Sequence, residues 1–268
     1  MNKTRTTVAL VACWAAGAFA TSYLGSVVTS WDATYSYPGG GKAPFGFAYG
    51  NGYMYVTYDE LFTKRESSAG TIVDVLGLPK VPRQYPEEAA YDPDRSRIWC
   101  GCSEAGVYLL HPETGSYVAS FPLPGTIPKV VAICYDRSLP SAPLWLTDGI
   151  TWRIWNLTTG GSIVRSVRMS INKVEGLAFD NDTAGGPYLF VAACFDKPLI
   201  YALDPATGSV LYTFSAPVTG DRLQGLTWDG EYLWTNDSKT GYVLQFVAHE
   251  PNTTITPASV GRIRALFR

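Results

Sequence analysis

The chain has 268 residues, of which 46% are hydrophobic, and 21 Lys and Arg stand against 23 Asp and Glu. This is enough apolar material for one sizeable core. The balanced charge contains no basic block and no acidic tail, which argues against a nucleic-acid-binding chain and against a solvating arm.

The first twenty residues have the pattern of an export signal. Lys3 and Arg5 form a short basic start, residues 7–20 carry no charge, and small residues surround Ala20. This pattern predicts a signal peptide over residues 1–20 that is cleaved after Ala20. The apolar run is shorter than the roughly 20 residues of a membrane span, so we expect no transmembrane span in the mature chain. The expected location is extracellular, periplasmic or at the cell surface.

Two alternatives for the N-terminus stay open. Residues 10–13, Leu-Val-Ala-Cys, resemble the lipobox of bacterial lipoproteins, which implies lipid attachment at Cys13. Against this, the apolar run continues beyond Cys13 and would begin the mature chain. The other alternative is an uncleaved membrane anchor.

An internal echo dominates the rest of the chain. A short apolar phrase ending in an aromatic residue returns five times, at spacings of 42, 44, 44 and 49 residues. The five aromatics are Tyr49, Tyr91, Tyr135, Phe179 and Trp228. A period in the forties built from short strands is typical of propeller blades, so the sequence predicts an all-β, five-bladed β-propeller over residues 21–249. In such a fold we expect most aromatics to pack between sheets.

The fifth repeat lacks its last strand, and the missing phrase stands near the other end of the chain. Residues 25–31 match residues 208–214, the fourth strand of the fourth repeat. We therefore expect the N-terminal strand to complete the last blade beside Val243, which closes the ring and removes two exposed edges. In the less regular first blade, the third strand is expected near residues 60–65 and the fourth at residues 70–73. Donation of the N-terminal strand to a neighbouring chain is the alternative, but closure within one chain benefits from a high local concentration.

Two kinds of turn recur between the strands. Residues 111–115 and 204–208 place Pro where φ is preset and end on Gly115 and Gly208, where we expect positive φ. Asp92, Asp136, Asp180 and Asp229 each follow an echoed aromatic. A residue repeated in every such blade indicates a turn role, as for Asp148 and Asp237 after second strands.

Four cysteines remain after the signal: Cys100, Cys102, Cys134 and Cys194. Cys100 and Cys102 are two residues apart, so they project from one strand face and are poorly placed to bond each other. Their spacing matches no zinc pattern. We expect buried free thiols, with one inter-strand disulfide as the alternative.

Residues 250–268 lie outside the blades. Ser259 is a candidate N-cap for a short helix over residues 260–268, with apolar residues on one side and Arg on the other. We expect this tail to pack as a strap on the rim. The alternative is an exposed docking or anchoring tag.

The turn phrase at residues 204–208, the Gly-Leu-Thr-Trp-Asp phrase ending at Asp229 and the Leu-Trp-x-x-Asp phrase ending at Asp237 resemble those of exported bacterial propeller repeats of the NHL and YVTN types. The resemblance covers residues 25–248 and implies a fold that hosts both enzymes and binding proteins. Residues 175–177, Glu-Gly-Leu, and 224–226, Gln-Gly-Leu, also resemble phrases of five-bladed glutaminyl cyclases. Their order and blade spacing depart from that family, so its activity is not carried over.

A candidate ligand site follows from aligning the five echoes. Six residues before the aromatics stand Ala43, Tyr85, Lys129, Lys173 and Arg222, and four before stand Phe45, Glu87, Val131, Glu175 and Gln224. The even spacing puts both sets on one strand face, at one mouth of the central channel. The cations suit an anionic or carboxylate-bearing ligand, and the carboxylates are able to orient polar groups or act as acid and base. Simple pairing of these opposite charges is the alternative.

Other chemistry is scarce in the sequence. Neither His111 nor His249 has a triad context, and there is no nucleophile elbow, phosphate loop, dinucleotide fingerprint or calcium loop. We therefore expect a non-enzymatic binding or scaffold module without cofactor or metal, monomeric, for an unknown protein, peptide or glycan ligand. The alternatives are a hydrolase, lyase or cyclase using Glu175 with Lys173 or Arg222, and a surface protein that assembles by strand donation.

Overall fold

The computed structural model describes residues 23–37, 40–42, 44–59, 61–78, 86–103, 106–171, 173–194, 198–218 and 223–249. These residues form 22 β-strands and no helix, so none of them belongs to a helix able to cross a membrane. The predicted signal peptide, residues 1–20, and the predicted tail helix lie outside the described residues.

The strands fall into five four-stranded antiparallel sheets and one small hairpin. Before the first blade come β1 (Val27–Asp32) and the hairpin of β2 (Tyr35–Tyr37) and β3 (Gly40–Lys42). Blade 1 contains β4 (Phe47–Gly50), β5 (Tyr53–Thr57), β6 (Leu61–Glu66) and β7 (Ile72–Gly77). Blade 2 contains β8 (Pro86–Asp92), β9 (Arg97–Cys102), β10 (Gly106–Leu110) and β11 (Tyr117–Phe121).

The remaining blades repeat this order. Blade 3 contains β12 (Ala132–Tyr135), β13 (Leu144–Thr147), β14 (Arg153–Leu157) and β15 (Ile163–Arg168). Blade 4 contains β16 (Val174–Asp180), β17 (Tyr188–Ala193), β18 (Leu199–Leu203) and β19 (Val210–Ser215). Blade 5 contains β20 (Leu223–Trp228), β21 (Leu233–Asp237) and β22 (Tyr242–Phe246), and β1 is its outer strand.

The first strand of each blade faces a common axis. β4 contacts β8, β8 contacts β12, β12 contacts β16, β16 contacts β20, and β20 returns to β4. The ring is therefore closed, and the fold is the predicted five-bladed β-propeller.

The N-terminal strand completes blade 5, as predicted. β1 runs antiparallel to β22, with Val27 opposite Phe246 and Trp31 opposite Val243. Arg65 then holds the chain where it leaves β1: its buried guanidinium donates hydrogen bonds to the Ala33 carbonyl at 3.2 Å and to the Gly70 carbonyl at 3.1 Å.

Glycine packing explains why the N-terminal phrase fits the last blade. Each blade has a positive-φ glycine before its outer strand: Gly70, Gly115, Gly161, Gly208 and Gly25. A Cβ at Gly70 would lie 2.5 Å from the Trp31 ring of blade 5, and one at Gly25 would lie 2.9 Å from the Ser215 carbonyl of blade 4. Only glycine leaves room for such close approach at positive φ. Gly25 therefore supplies the fifth of these positions.

Aromatic stacking joins neighbouring blades. A second-strand aromatic of one blade stacks on the echoed aromatic of the next, as in Trp145 on Phe179 and Phe190 on Trp228, with ring centroids 6.0 and 6.1 Å apart. This confirms the expected packing role of these rings. The four cysteines are buried free thiols, with Cys100 Sγ and Cys102 Sγ 4.0 Å apart, as the strand geometry predicted.

Candidate functional site: the two mouths of the channel

The innermost strands all start at one end of the central channel and finish at the other. We call the end where β4, β8, β12, β16 and β20 start the front mouth, and the end where they finish the rear mouth. The predicted ligand residues precede or begin these strands, so they belong to the front mouth. The echoed aromatics close the strands, so they belong to the rear mouth.

The described members of the predicted site lie before or at the starts of the innermost strands, at the front end of the channel. Lys129 is half-buried before β12, and Lys173 is exposed before β16 with φ at 54°. Glu87 and Glu175 are half-buried near the starts of β8 and β16, whereas Gln224 is buried in β20. Arg222, Ala43 and Tyr85 lie outside the described residues.

The expectation that these side chains share one strand face is wrong for the two carboxylates. The register shifts between Pro86 and Glu88 and again between Val174 and Gly176. Glu87 and Glu175 are therefore the extra residues of β-bulges, and a bulge interrupts the alternation of side chains along a strand.

Backbone contacts fix the front mouth between blades 5 and 1. The Gln224 amide donates to Asn236 Oδ1 at 3.2 Å, and Asn236 Nδ2 donates to the Pro44 carbonyl at 3.0 Å.

In blade 3, Asp148 caps its turn as predicted, because its Oδ1 accepts hydrogen bonds from the Ile150 and Thr151 amides.

A residue that sequence reasoning missed lies deeper in the channel. Three positions before the aromatics, four blades carry Gly46, Ala132, Gly176 and Gly225, whereas blade 2 carries Glu88. Glu88 is fully buried, and its Oε1 accepts a hydrogen bond from the Phe47 amide of blade 1 at 2.9 Å. A Cβ at Gly46 would lie 2.6 Å from this oxygen, so the missing side chain makes room for the carboxyl.

Burial determines the charge of this carboxyl. Desolvation raises the pKa of Glu88 well above its usual range, although amides of Phe47, Ala89 and Leu226 act in the opposite direction. Its Oε2 is buried and has no hydrogen-bond partner among the described residues. The protonated form is thus favoured. When the five repeats are aligned, Glu88 is the one large polar residue at a position where the other blades have Gly or Ala. This exception identifies it in the sequence.

The rear mouth contains a cavity of about 220 Å³, with a smaller one of about 60 Å³ deeper between the innermost strands. All five echoed aromatics line the larger cavity. Its rim comes from the residues two positions after them: Asn51, Pro93, Arg137, Asn181 and Gly230.

The aspartates after the aromatics fix the turns at this end of each of their blades. Each accepts backbone amides or side chains of its own turn, as predicted. Three also accept an indole N–H from the second strand of their blade: Asp92 from Trp99 at 3.1 Å, Asp136 from Trp145 at 3.3 Å, and Asp229 from Trp234 at 2.6 Å.

At the matching position of the second strand, blade 4 has Phe190, whereas blades 2, 3 and 5 have tryptophan. His249 supplies the hydrogen bond to Asp180 that a phenylalanine ring cannot donate. His249 Nε2 lies 2.8 Å from Asp180 Oδ2, and Nδ1 lies 2.9 Å from the Tyr212 hydroxyl. Burial alone would raise the pKa of Asp180, but hydrogen bonds from His249, Thr183 and Asp182 outweigh it and lower that pKa. His249 therefore stabilises the rear end of blade 4, a role that the sequence did not reveal.

Comparisons with known proteins support the fold and leave the activity open. No protein-family model and no curated protein matches the sequence. Glutaminyl cyclase from Myxococcus xanthus is 13% identical, with 82% of this chain and 94% of that one covered and a TM-score of 0.64. Inactive virginiamycin B lyase from Staphylococcus aureus with quinupristin is 18% identical, with 80% and 69% covered and a TM-score of 0.51. At these identities the likeness shows the propeller fold alone.

Proposed function

We propose that this chain is an exported, non-enzymatic binding propeller that holds a carboxylate-bearing ligand at its front mouth. Export rests on the N-terminal signal pattern, and kinship with NHL and YVTN repeat proteins rests on the turn and strand phrases. The fully buried position of Glu88, which raises the pKa of its carboxyl, supports this ligand class most strongly.

The cations of the front mouth are the groups that suit an anion. Lys129 and Lys173 bring two cations to one end of the channel, and Arg222 adds a guanidinium by its place in the sequence. A charged Glu88 beneath them would repel an anionic ligand. Burial raises the pKa of Glu88, which favours its neutral form and weakens this repulsion.

The two half-buried carboxylates give this mouth selectivity. Glu87 and Glu175 stand on bulges, which direct side chains away from the regular strand alternation. They are placed to orient ligand hydroxyl or amide groups by accepting hydrogen bonds from them.

Calorimetric titration with succinate and glucuronate tests the proposal, with succinamide as the uncharged control. We expect binding of the carboxylates, weakening with salt, and at least about tenfold loss of affinity in Lys173→Met, since a hydrogen bond to a charged group contributes about 1.5–3 kcal/mol. Lys239→Met is the matched control, because Lys239 is an exposed lysine on a turn of blade 5. Equal affinity for succinamide, or no effect of Lys173→Met, would contradict the proposal.

The enzymatic alternative, which uses Glu175 with Lys173 or Arg222, is tested with variants of its own residues. Lactone, glycan and N-terminal-glutamine peptide substrates are incubated with the wild type, Glu175→Gln and Lys173→Met. Turnover by the wild type that both variants lose would replace the binding proposal with an enzymatic one.

A further inference from the structure

The rear mouth has the composition of a second ligand site. Its cavity of about 220 Å³ lies below the roughly 300–1,000 Å³ of pockets for drug-sized molecules, so it suits a ligand of about one ring. Tyr49, Tyr135 and Trp228 line it and are only half-buried. Such rings offer large, rigid contact surfaces to a flat or ring-shaped molecule.

The rim differs from the wall in one respect. The wall repeats an aromatic residue in all five blades, whereas the rim presents Asn51, Pro93, Arg137, Asn181 and Gly230. Two of these residues also join blades, because Asn51 Nδ2 donates to the Tyr91 hydroxyl of blade 2 and Arg137 pairs with Asp182 of blade 4. The rim is therefore polar and differs from blade to blade.

The charged groups of the rim already pair with each other. Arg137 forms an ion pair with Asp182, and the Tyr135 hydroxyl donates to Asp94 at 2.9 Å. An ionic ligand would have to compete with these pairs. A neutral hydroxyl group can join them, because it both donates and accepts a hydrogen bond.

From the cavity, its aromatic wall and the paired charges of its rim, we infer that the rear mouth binds a neutral, hydroxyl-rich ring, such as a monosaccharide or the terminal sugar of a glycan. This site is independent of the carboxylate site at the front mouth.

Saturation-transfer NMR with methyl α-glucoside, methyl β-galactoside and N-acetylglucosamine tests the inference. We expect transfer to the ring protons of at least one sugar, and at least about tenfold weaker binding in Arg137→Trp, which fills the rim. Arg153→Trp is the matched control, because Arg153 is an exposed arginine on the same blade but outside the cavity lining. It should bind as the wild type does.

The following outcomes would contradict the inference that the rear mouth binds a sugar. No transfer to any of the three sugars, binding that Arg137→Trp leaves unchanged, or sugar binding lost in Lys173→Met would overturn the inference. Preference for choline would overturn it as well, since an aromatic cage for cations is a different site. If Arg137→Trp does not fold by near-UV circular dichroism, Asn181→Ala is used instead, with the same expected loss. Succinate binding is measured on each variant, so that failure at one mouth is separated from failure at the other.

Discussion

The two mouths of the channel differ in how far they keep the internal repeat. At the rear mouth every blade supplies an aromatic residue, and four of the five add an aspartate behind it. At the front mouth no residue type recurs in all five blades at the positions six and four residues earlier. Side chains that recur in each blade join that blade to its neighbour, as Trp145 does with Phe179. A side chain that occurs once is not part of this repeated pattern, and Glu88, which accepts a hydrogen bond from the Phe47 amide of blade 1, is the clearest example.

Two fully buried carboxyl groups, Asp180 at the rear mouth and Glu88 towards the front mouth, also differ from each other. Asp180, at the rear end, has hydrogen bonds to both oxygens, from its turn amides and from His249. Glu88 bonds through Oε1, whereas its Oε2 has no partner among the described residues. Their pKa values accordingly move in opposite directions. Burial raises a carboxyl pKa unless enough donors stabilise the charged form.

The largest effect is expected where the repeat is kept. Trp145→Ala removes a fully buried ring that stacks on Phe179 and donates to Asp136, so it should lower the free energy of unfolding by about 3–5 kcal/mol. Urea unfolding followed by circular dichroism measures it. Trp145→Phe, which keeps most of the ring packing, should lose less. A loss below about 1 kcal/mol in Trp145→Ala would show that the aromatic wall does not hold the blades.

A smaller loss is expected at Asp180. Asp180→Asn removes the negative charge opposite His249, which should cost about 1–3 kcal/mol at pH 7. Because the folded-state pKa of Asp180 is lowered, this stability is complete above the unfolded value of about 3.9 and is lost as the pH falls towards the folded value. The difference between wild type and variant should therefore shrink when urea unfolding is repeated at pH 3. A difference that stays constant with pH would contradict the assignment.

Glu88→Gln should change the free energy of unfolding at neutral pH in the opposite direction to Asp180→Asn. The folded-state pKa of Glu88 is raised, so its contribution to stability is complete below the unfolded value of about 4.3 and is lost as the pH rises through the folded value. The amide cannot ionise and keeps an oxygen for the Phe47 amide. The variant should become more stable than the wild type as the pH rises from 4 to 8. Equal pH dependence of the two proteins would show that Glu88 is ionised at neutral pH.

The smallest effect on stability is expected at the predicted cations. Lys129→Met and Lys173→Met alter loop residues before β12 and β16, so each should change the free energy of unfolding by no more than about 0.5 kcal/mol. Chemical unfolding at pH 7 measures both. A loss comparable to that of Asp180→Asn would mean that these lysines hold the blades together rather than meet a ligand.

The sequence predicts the architecture well because each blade contains the same short residue patterns at similar spacings. The echoed aromatics, the turn glycines and the N-terminal match to residues 208–214 sufficed to place β1 beside β22. The site was harder to predict, because bulges at Glu87 and Glu175 break the side-chain alternation without a sequence signal that we recognised. Glu88 was visible as the exception in a column of small residues. The role of His249 depends on a contact 69 residues away in sequence, which no local pattern encodes.

Binding and stability measured on the same proteins test most directly whether the two ends of the channel have different tasks. Succinate is titrated calorimetrically into the wild type, the double variant Lys129→Met/Lys173→Met, and Trp145→Phe, and each protein is unfolded in urea under the same conditions. We predict that the double variant loses at least about tenfold in affinity with an unchanged unfolding midpoint, while Trp145→Phe keeps its affinity and unfolds at lower urea. If affinity and midpoint fall together in both proteins, or if the double variant binds succinate as tightly as the wild type, the division between the two mouths is wrong.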